Sequence, residues 1–226
     1  MAHAYSDFII AKNNFFKNPY KVLKLFDRQE FKQHQTYPGL RTDNLLMSTD
    51  NETKNFALFL AQKVSTEVYP GIYGFIMDIR FHINTVYDNT EVNEGWIHSD
   101  SIDIAGVIYL TPNEQSLETG TSLFEKKTKE QFKTDDFVSR QEFNLTGIST
   151  DEYLKDLRQN HNTFTETLKV GNMFNRLISY DGEIYHRPNK YNLDCGEPRK
   201  SVVFFIKDIK QEHCTKVNLN YTWEDE

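Results

Sequence analysis

Two hydrophobic periods divide the chain. Between residues 53 and 69, Phe56, Phe59, Leu60, Val64 and Val68 recur at helical spacing, which gathers apolar side chains on one face. Earlier, Asn18-Pro19 supplies a cap and a first-turn proline, with Val22, Leu23 and Phe26 following on one face. Then the period changes. "GIYGFIMDIRFHINTVY" (71–87) is rich in Ile, Tyr, Phe and Val, with turn residues before it and polar residues after, and reads as a strand. "IAGVIYL" (104–110), "NRLISY" (175–180) and "KSVVFFI" (200–206) read the same way. The stretch "SLFEKKTKEQFKTDDFVSRQEF" between them is charged and weakly periodic, and Ser149-Thr-Asp-Glu152 then opens a short helix as a capping box. Helices first, then short strands without regular βαβ alternation, predict a mainly β fold, an antiparallel sandwich or barrel with flanking helices.

No repeat, low-complexity tract or linker interrupts the 226 residues, so a single domain is expected over 1–226, with helical support over about 1–70 and a β core over about 71–207. A net charge of −7 gives no electrostatic footprint for bulk nucleic acid or an anionic membrane. No apolar run reaches the length of a membrane span, and "MAHAYSDFIIAKNN" lacks the charged-then-apolar order of a signal peptide. Cys195 and Cys214 are not metal-spaced, which fits a reducing, cytoplasmic setting. The glycosylation-type triplets at Asn51, Asn144 and Asn220 are therefore read as chance.

Candidate chemistry begins in "GWIHSDSIDIAGVIYLTP" (95–112). His98 and Asp100 stand at i and i+2, which in extended backbone places both on one face, within reach of a single ion. The pair alone is weak, because a chain with seven histidines meets such a triplet by chance, and a polar loop ahead of a strand explains it equally. His186 in "LISYDGEIYHRPNKY" supplies a third ligand. It follows an Asp181-Gly182 turn, which predicts a hairpin whose second strand, ending in His186, returns beside the first. Two imidazoles and a carboxylate form the facial set that holds Fe(II) with three positions open, although zinc sites use such sets too. A half-buried His bonded to a carbonyl is the plainer alternative. In "EPRKSVVFFI", Arg199 and Ser201 share one strand face, where a guanidinium and a hydroxyl hold a carboxylate directed into a barrel. Apolar residues on both faces beyond them leave Lys200 open as the alternative anchor, and a surface Arg at a strand start remains a competing reading.

His98-x-Asp100, then His186, then Arg199-x-Ser201, in that order along a run of strands, resembles the Fe(II)/2-oxoglutarate-dependent oxygenases. The resemblance covers roughly residues 70 to 207 and implies a double-stranded β-helix, a jelly-roll barrel. "VIYLTPNEQSLETGTSLFE" is similar to a segment of the prolyl-hydroxylase branch, and by that match Tyr109 hydrogen-bonds the far carboxylate of the co-substrate. Tyr87 and Trp96 resemble aromatics on the co-substrate and substrate sides of that pocket, and plain core packing is the alternative for Tyr87. Thr119-Gly120 stands where the branch has paired glycines, and the spacing from His186 to Arg199 is slightly long. The resemblance implies Fe(II) on His98, Asp100 and His186, and 2-oxoglutarate on Arg199, Ser201 and Tyr109. With O2, 2-oxoglutarate is decarboxylated to succinate and an unactivated C–H is hydroxylated, in a prolyl or other amino-acid residue or a small molecule. Asp100 separates the chain from halogenating relatives, which lack that carboxylate. A cupin-type metalloenzyme and a non-catalytic jelly-roll binding or structural protein are the competing classes. The charged segment 123–148 reads as a lid over the barrel mouth or as a surface insertion.

Overall fold

The computed structural model describes residues 8–33, 39–72, 74–84, 93–127, 149–191, 193, 196–210 and 221–225. In chain order its principal elements are β1 (Ile9–Lys12), α1 (Pro19–Phe26), β2 (Lys32–Gln33), β3 (Leu40–Arg41), α2 (Asn51–Lys63), β4 (Gly74–Asn84), β5 (Ile104–Tyr109), β6 (Gln115–Lys126), α3 (Thr150–Asn162), β7 (Phe164–Met173), β8 (Leu177–Asp181), β9 (Tyr185–Pro188) and β10 (Arg199–Lys210). The strands form two antiparallel sheets among the described residues, one ordered β1-β8-β5-β10-β4-β3-β2 and the other β7-β6-β9. The fold is mainly β with flanking helices, as the sequence predicts.

The helices start where their caps place them. Asn18 accepts from the Lys21 N–H at 3.1 Å and opens α1, while Ser149 accepts from the Glu152 N–H at 3.2 Å and opens α3. The apolar row that begins in α2 runs on through a π-helical turn, Val64–Val68, closed by the Tyr69 N–H on the Val64 carbonyl. That turn brings the Tyr69 hydroxyl to within 2.7 Å of Ser179 on β8.

Alternation along the strands separates two cores. Phe81 of β4, Ile104 and Ile108 of β5, and Val202, Phe204 and Ile206 of β10 join Val22, Phe26, Phe56 and Leu60 of the helices. Tyr109, Ile178 and Tyr180, on the opposite face of the large sheet, meet Leu123 and Val170 of the small one. The large sheet is thus covered on both faces, which is why its strands read as nearly continuous apolar runs. Gly106 is required in the outer layer, since a Cβ there would lie 2.1 Å from the Phe204 ring. Past β10, Trp223 packs edge-on against Phe56, and the Asp225 carboxylate accepts from the Lys17 and Asn18 N–H groups, both at 3.0 Å.

Three expectations need correcting. The first third is not wholly helical, because Ile9–Lys12 pairs with β8. Asp181-Gly182 does turn the chain, with the Ile184 N–H on the Asp181 carbonyl at 3.0 Å, but β9 does not return beside β8. Both edges of β8 are taken, by β1 and β5, so β9 crosses to the other sheet and pairs with β6. The charged stretch begins inside β6, so residues 123–126 are strand, and 128–148 lie outside the described residues together with Tyr87, Cys195 and Cys214. No helix among the described residues is long and apolar enough to cross a membrane.

Gly106→Val is expected to destabilise the fold by about 2 kcal/mol through overpacking against Phe204. A lower urea midpoint at unchanged slope is the readout, and an unchanged midpoint would mean that the ring has room to move.

Candidate metal centre

Residues 93–100 run antiparallel beside β9 as an irregular extension of the small sheet. The Tyr191 N–H bonds the Asn93 carbonyl, and the Asp100 N–H bonds the Gly182 carbonyl at 2.8 Å. Between these, His98 and His186 exchange both main-chain bonds, His98 N–H to His186 O at 3.0 Å and His186 N–H to His98 O at 2.8 Å. Residues directly opposite in such a pair carry their side chains to the same face. The imidazole centroids stand 4.5 Å apart, and Asp100, one alternation further along, comes to the same place. Gly182 permits the approach, because a Cβ there would meet the Ile102 carbonyl oxygen at 2.3 Å.

One ligand atom each from His98, Asp100 and His186 lies within 4.8 Å of the other two. The Asp100 oxygens stand 3.8 Å from His98 Nε2 and 3.4 Å from His186 Nε2. Each imidazole is oriented by the carbonyl two residues before it, His98 Nδ1 on Trp96 O at 2.9 Å and His186 Nδ1 on Ile184 O at 2.8 Å. A carbonyl only accepts, so both Nδ1 atoms carry hydrogen and each ring turns its Nε2 inward. That is how ligating histidines are held.

Electrostatics favour the ligating forms. Although the His98 side chain is about half exposed, the protein atoms around it and then the neighbouring His186 push its imidazolium below its ordinary value. Burial alone would raise the Asp100 carboxyl, but hydrogen bonding and charge from His186, with charge from His98 and Arg41, hold it below its ordinary range. Beside them Tyr180, 4.7 Å from His186 between ring centroids, is kept a neutral phenol by burial and by the Asp100 charge.

The anchor residues occupy the same inter-sheet space further along β10. Register sets Ser201 opposite Tyr109 on one side and His82 on the other, with Arg199 opposite Asn84. Arg199 is 3% exposed, its guanidinium 5.1 Å from the Tyr109 ring centroid and one Nη on the Gly120 carbonyl at 3.4 Å. It has no carboxylate partner among the described residues, and its Nε is buried without a hydrogen bond. Tyr109, fully buried, bonds Thr121 through its hydroxyl at 2.7 Å. Lys200 faces the other way, to Asp27 at 2.7 Å on the helical side, so parity separates the two cations. Trp96 stands at the rim, where its indole N–H donates to the Tyr153 hydroxyl of α3 at 3.1 Å. Tyr87 lies outside the described residues.

Sequence reading missed two neighbours of the centre. Arg41 sits opposite His82 and therefore points inward, its guanidinium 5.7 Å from the Phe205 ring centroid, but β3 is too short to carry a period. Tyr180 was legible only as a strand residue, and its place beside His186 follows from the change of sheet at Gly182.

The fold recurs in solved structures. A Pseudomonas putida prolyl-4-hydroxylase is 12% identical with a TM-score of 0.51, over 90% of this chain and 93% of that one. HygX from Streptomyces hygroscopicus with nickel and 2-oxoglutarate bound is 12% identical with a TM-score of 0.56, over 88% and 82%. SnoN, a non-heme alpha ketoglutarate dependent epimerase from nogalamycin biosynthesis, is 10% identical with a TM-score of 0.51, over 88% and 77%. The chain therefore shares its fold with these proteins. By sequence, residues 4–190 match a family described as one of unknown function, DUF6445, and the chain belongs to that family. No curated protein matches it.

With its imidazolium disfavoured in the fold, His98 makes the metal-free protein lose stability as pH falls through about 6.5, where the unfolded chain takes up that proton and the folded chain does not. His98→Gln is expected to flatten part of the decline in urea-unfolding free energy between about pH 7 and 5. An unaltered slope would show that His98 titrates alike in both states.

Proposed function

We propose that this chain is an Fe(II)- and 2-oxoglutarate-dependent oxygenase that hydroxylates an unactivated C–H bond, and that its two sheets are the halves of a double-stranded β-helix within a single domain. One observation carries the reading. His98, Asp100 and His186 converge with both imidazoles already turned by main-chain carbonyls, in the same inter-sheet space as a buried Arg199 without a carboxylate partner among the described residues.

The residues present fit both groups. Two neutral imidazole nitrogens and one carboxylate suit Fe(II) and leave three adjacent positions open. A guanidinium with an unused buried N–H, beside Ser201 and the Tyr109 hydroxyl, suits the far carboxylate of a five-carbon diacid. When bound, iron with 2-oxoglutarate and O2 supplies the oxidising power that replaces C–H by C–OH, releasing succinate and CO2. The protein's work is positional. Asp100 contributes the one negative ligand, the Trp96 and Ile184 carbonyls fix the rings, and Arg199 sets the orientation of the co-substrate. Ile178, Tyr180 and Val170 line the space between the sheets and keep water from it. Trp96, braced by Tyr153 at the rim, faces the substrate, for which a peptidyl or free amino-acid residue or a small molecule is the proposed class.

Anaerobic addition of Fe(II) and 2-oxoglutarate is expected to give a weak visible charge-transfer band, and admission of O2 to yield succinate. His98→Ala and His186→Ala should weaken Fe(II) binding by about 100-fold and abolish the band, with far-UV circular dichroism retained. Absence of the band in the unaltered protein at millimolar 2-oxoglutarate would overturn the reading.

Arg199→Ala is expected to weaken 2-oxoglutarate binding by roughly 30-fold or more, and Lys200→Ala to change it little. The reverse order would place the anchor on the wrong strand face.

A further inference from the structure

We propose that Asn172 is a second binding group for the far carboxylate of the 2-oxo acid, acting with Arg199 at the inner end of the inter-sheet space; this rests on the oxygenase reading above. Asn172 is 1% exposed, and both its Oδ1 and its Nδ2 are buried without a hydrogen-bond partner among the described residues. Two other buried amides are treated differently. Asn160 bonds the N–H and carbonyl of Ile97, and Asn175 bonds those of Phe16, each using both ends of its amide. Those are structural asparagines. Asn172 has the same burial and neither bond, and a native fold rarely leaves a whole amide in that state unless something else satisfies it.

Position indicates what that is. Val170, two residues earlier on β7, belongs to the cluster between the sheets, so alternation turns Asn172 inward as well. The main chain at Gly120 is the wall it shares with Arg199. The Gly120 carbonyl accepts from Arg199 Nη1, while a Cβ on Gly120 would lie 2.9 Å from the Asn172 main-chain nitrogen and 1.8 Å from the Val170 carbonyl oxygen. The main chain of Asn172 thus packs on the glycine whose carbonyl Arg199 bonds, and the side-chain N–H groups left unused at these two residues are the Asn172 Nδ2–H and the Arg199 Nε–H. A carboxylate, with two oxygens that only accept, satisfies both at once, and a water carried with it reaches Oδ1.

The test compares two 2-oxo acids on Fe(II)-loaded protein without oxygen, followed by calorimetry and the charge-transfer band. 2-Oxoglutarate carries the far carboxylate and pyruvate does not. Asn172→Ala is expected to weaken 2-oxoglutarate by about tenfold, and Asn172→Asp to weaken it further by like-charge repulsion, with Fe(II) and pyruvate binding unchanged in both. If both variants bind 2-oxoglutarate as the unaltered protein does, the inference is overturned and the oxygenase reading stands. Parallel loss of Fe(II), pyruvate and 2-oxoglutarate would make Asn172 a packing residue and also overturn it. If the unaltered protein binds Fe(II) but neither acid, the oxygenase reading fails and takes this inference with it.

Discussion

Two main-chain hydrogen bonds between His98 and His186 hold together everything that gives the centre its geometry. They lock an irregular segment from the first half of the chain against a short strand from the second, and they do so at the residues whose side chains matter. Because a reciprocal pair fixes both backbones, the imidazoles meet without any choice being left to flexible loops. Asp100 inherits its place from the same ladder through its own N–H on Gly182. The large sheet then supplies the opposite wall, with Tyr180 against His186 and Tyr109 against Arg199.

Strand parity on β10 organises the rest. Even-numbered residues from Val202 to Ile206 join the helices, and Arg199 and Ser201 face the small sheet. One strand therefore carries both the mechanical core of the protein and its proposed acid-binding groups. The helical layer is pinned at two places, by Tyr69 on Ser179 and by Trp223 and Asp225 returning to Phe56 and the start of α1.

How much of this was legible in the sequence follows from burial. Strands of the large sheet, covered on both faces, announce themselves as apolar runs, so β4, β5, β8 and β10 were found close to their observed bounds. The same double covering hid which face was which, and left Arg199 and Lys200 undecided. β6 and β7 escaped notice because "QSLETGTSLFEK" and "FTETLKVGNM" mix Thr, Glu and Lys with few large apolar residues along strands that are exposed over much of their length. The change of sheet after Asp181 was also invisible, since a turn signal records that the chain reverses and not which edge remains open. That His98, Asp100 and His186 belong together was legible because few residue types can do metal-binding chemistry. Arg41 and Asn172 were not, because their relevance depends on register across strands and not on any local pattern.

Holding both imidazoles by main-chain carbonyls has a consequence for the life of the protein. Small zinc domains gain their structure from the ion and unfold when it leaves. Here the candidate ligand rings are already oriented by main-chain carbonyls within the described fold. An ion entering such a site pays little side-chain ordering entropy, and one departing leaves a folded chain behind. On the oxygenase reading, metal exchange would be a local event, and the supply of metal would govern what the molecule does without governing whether it persists.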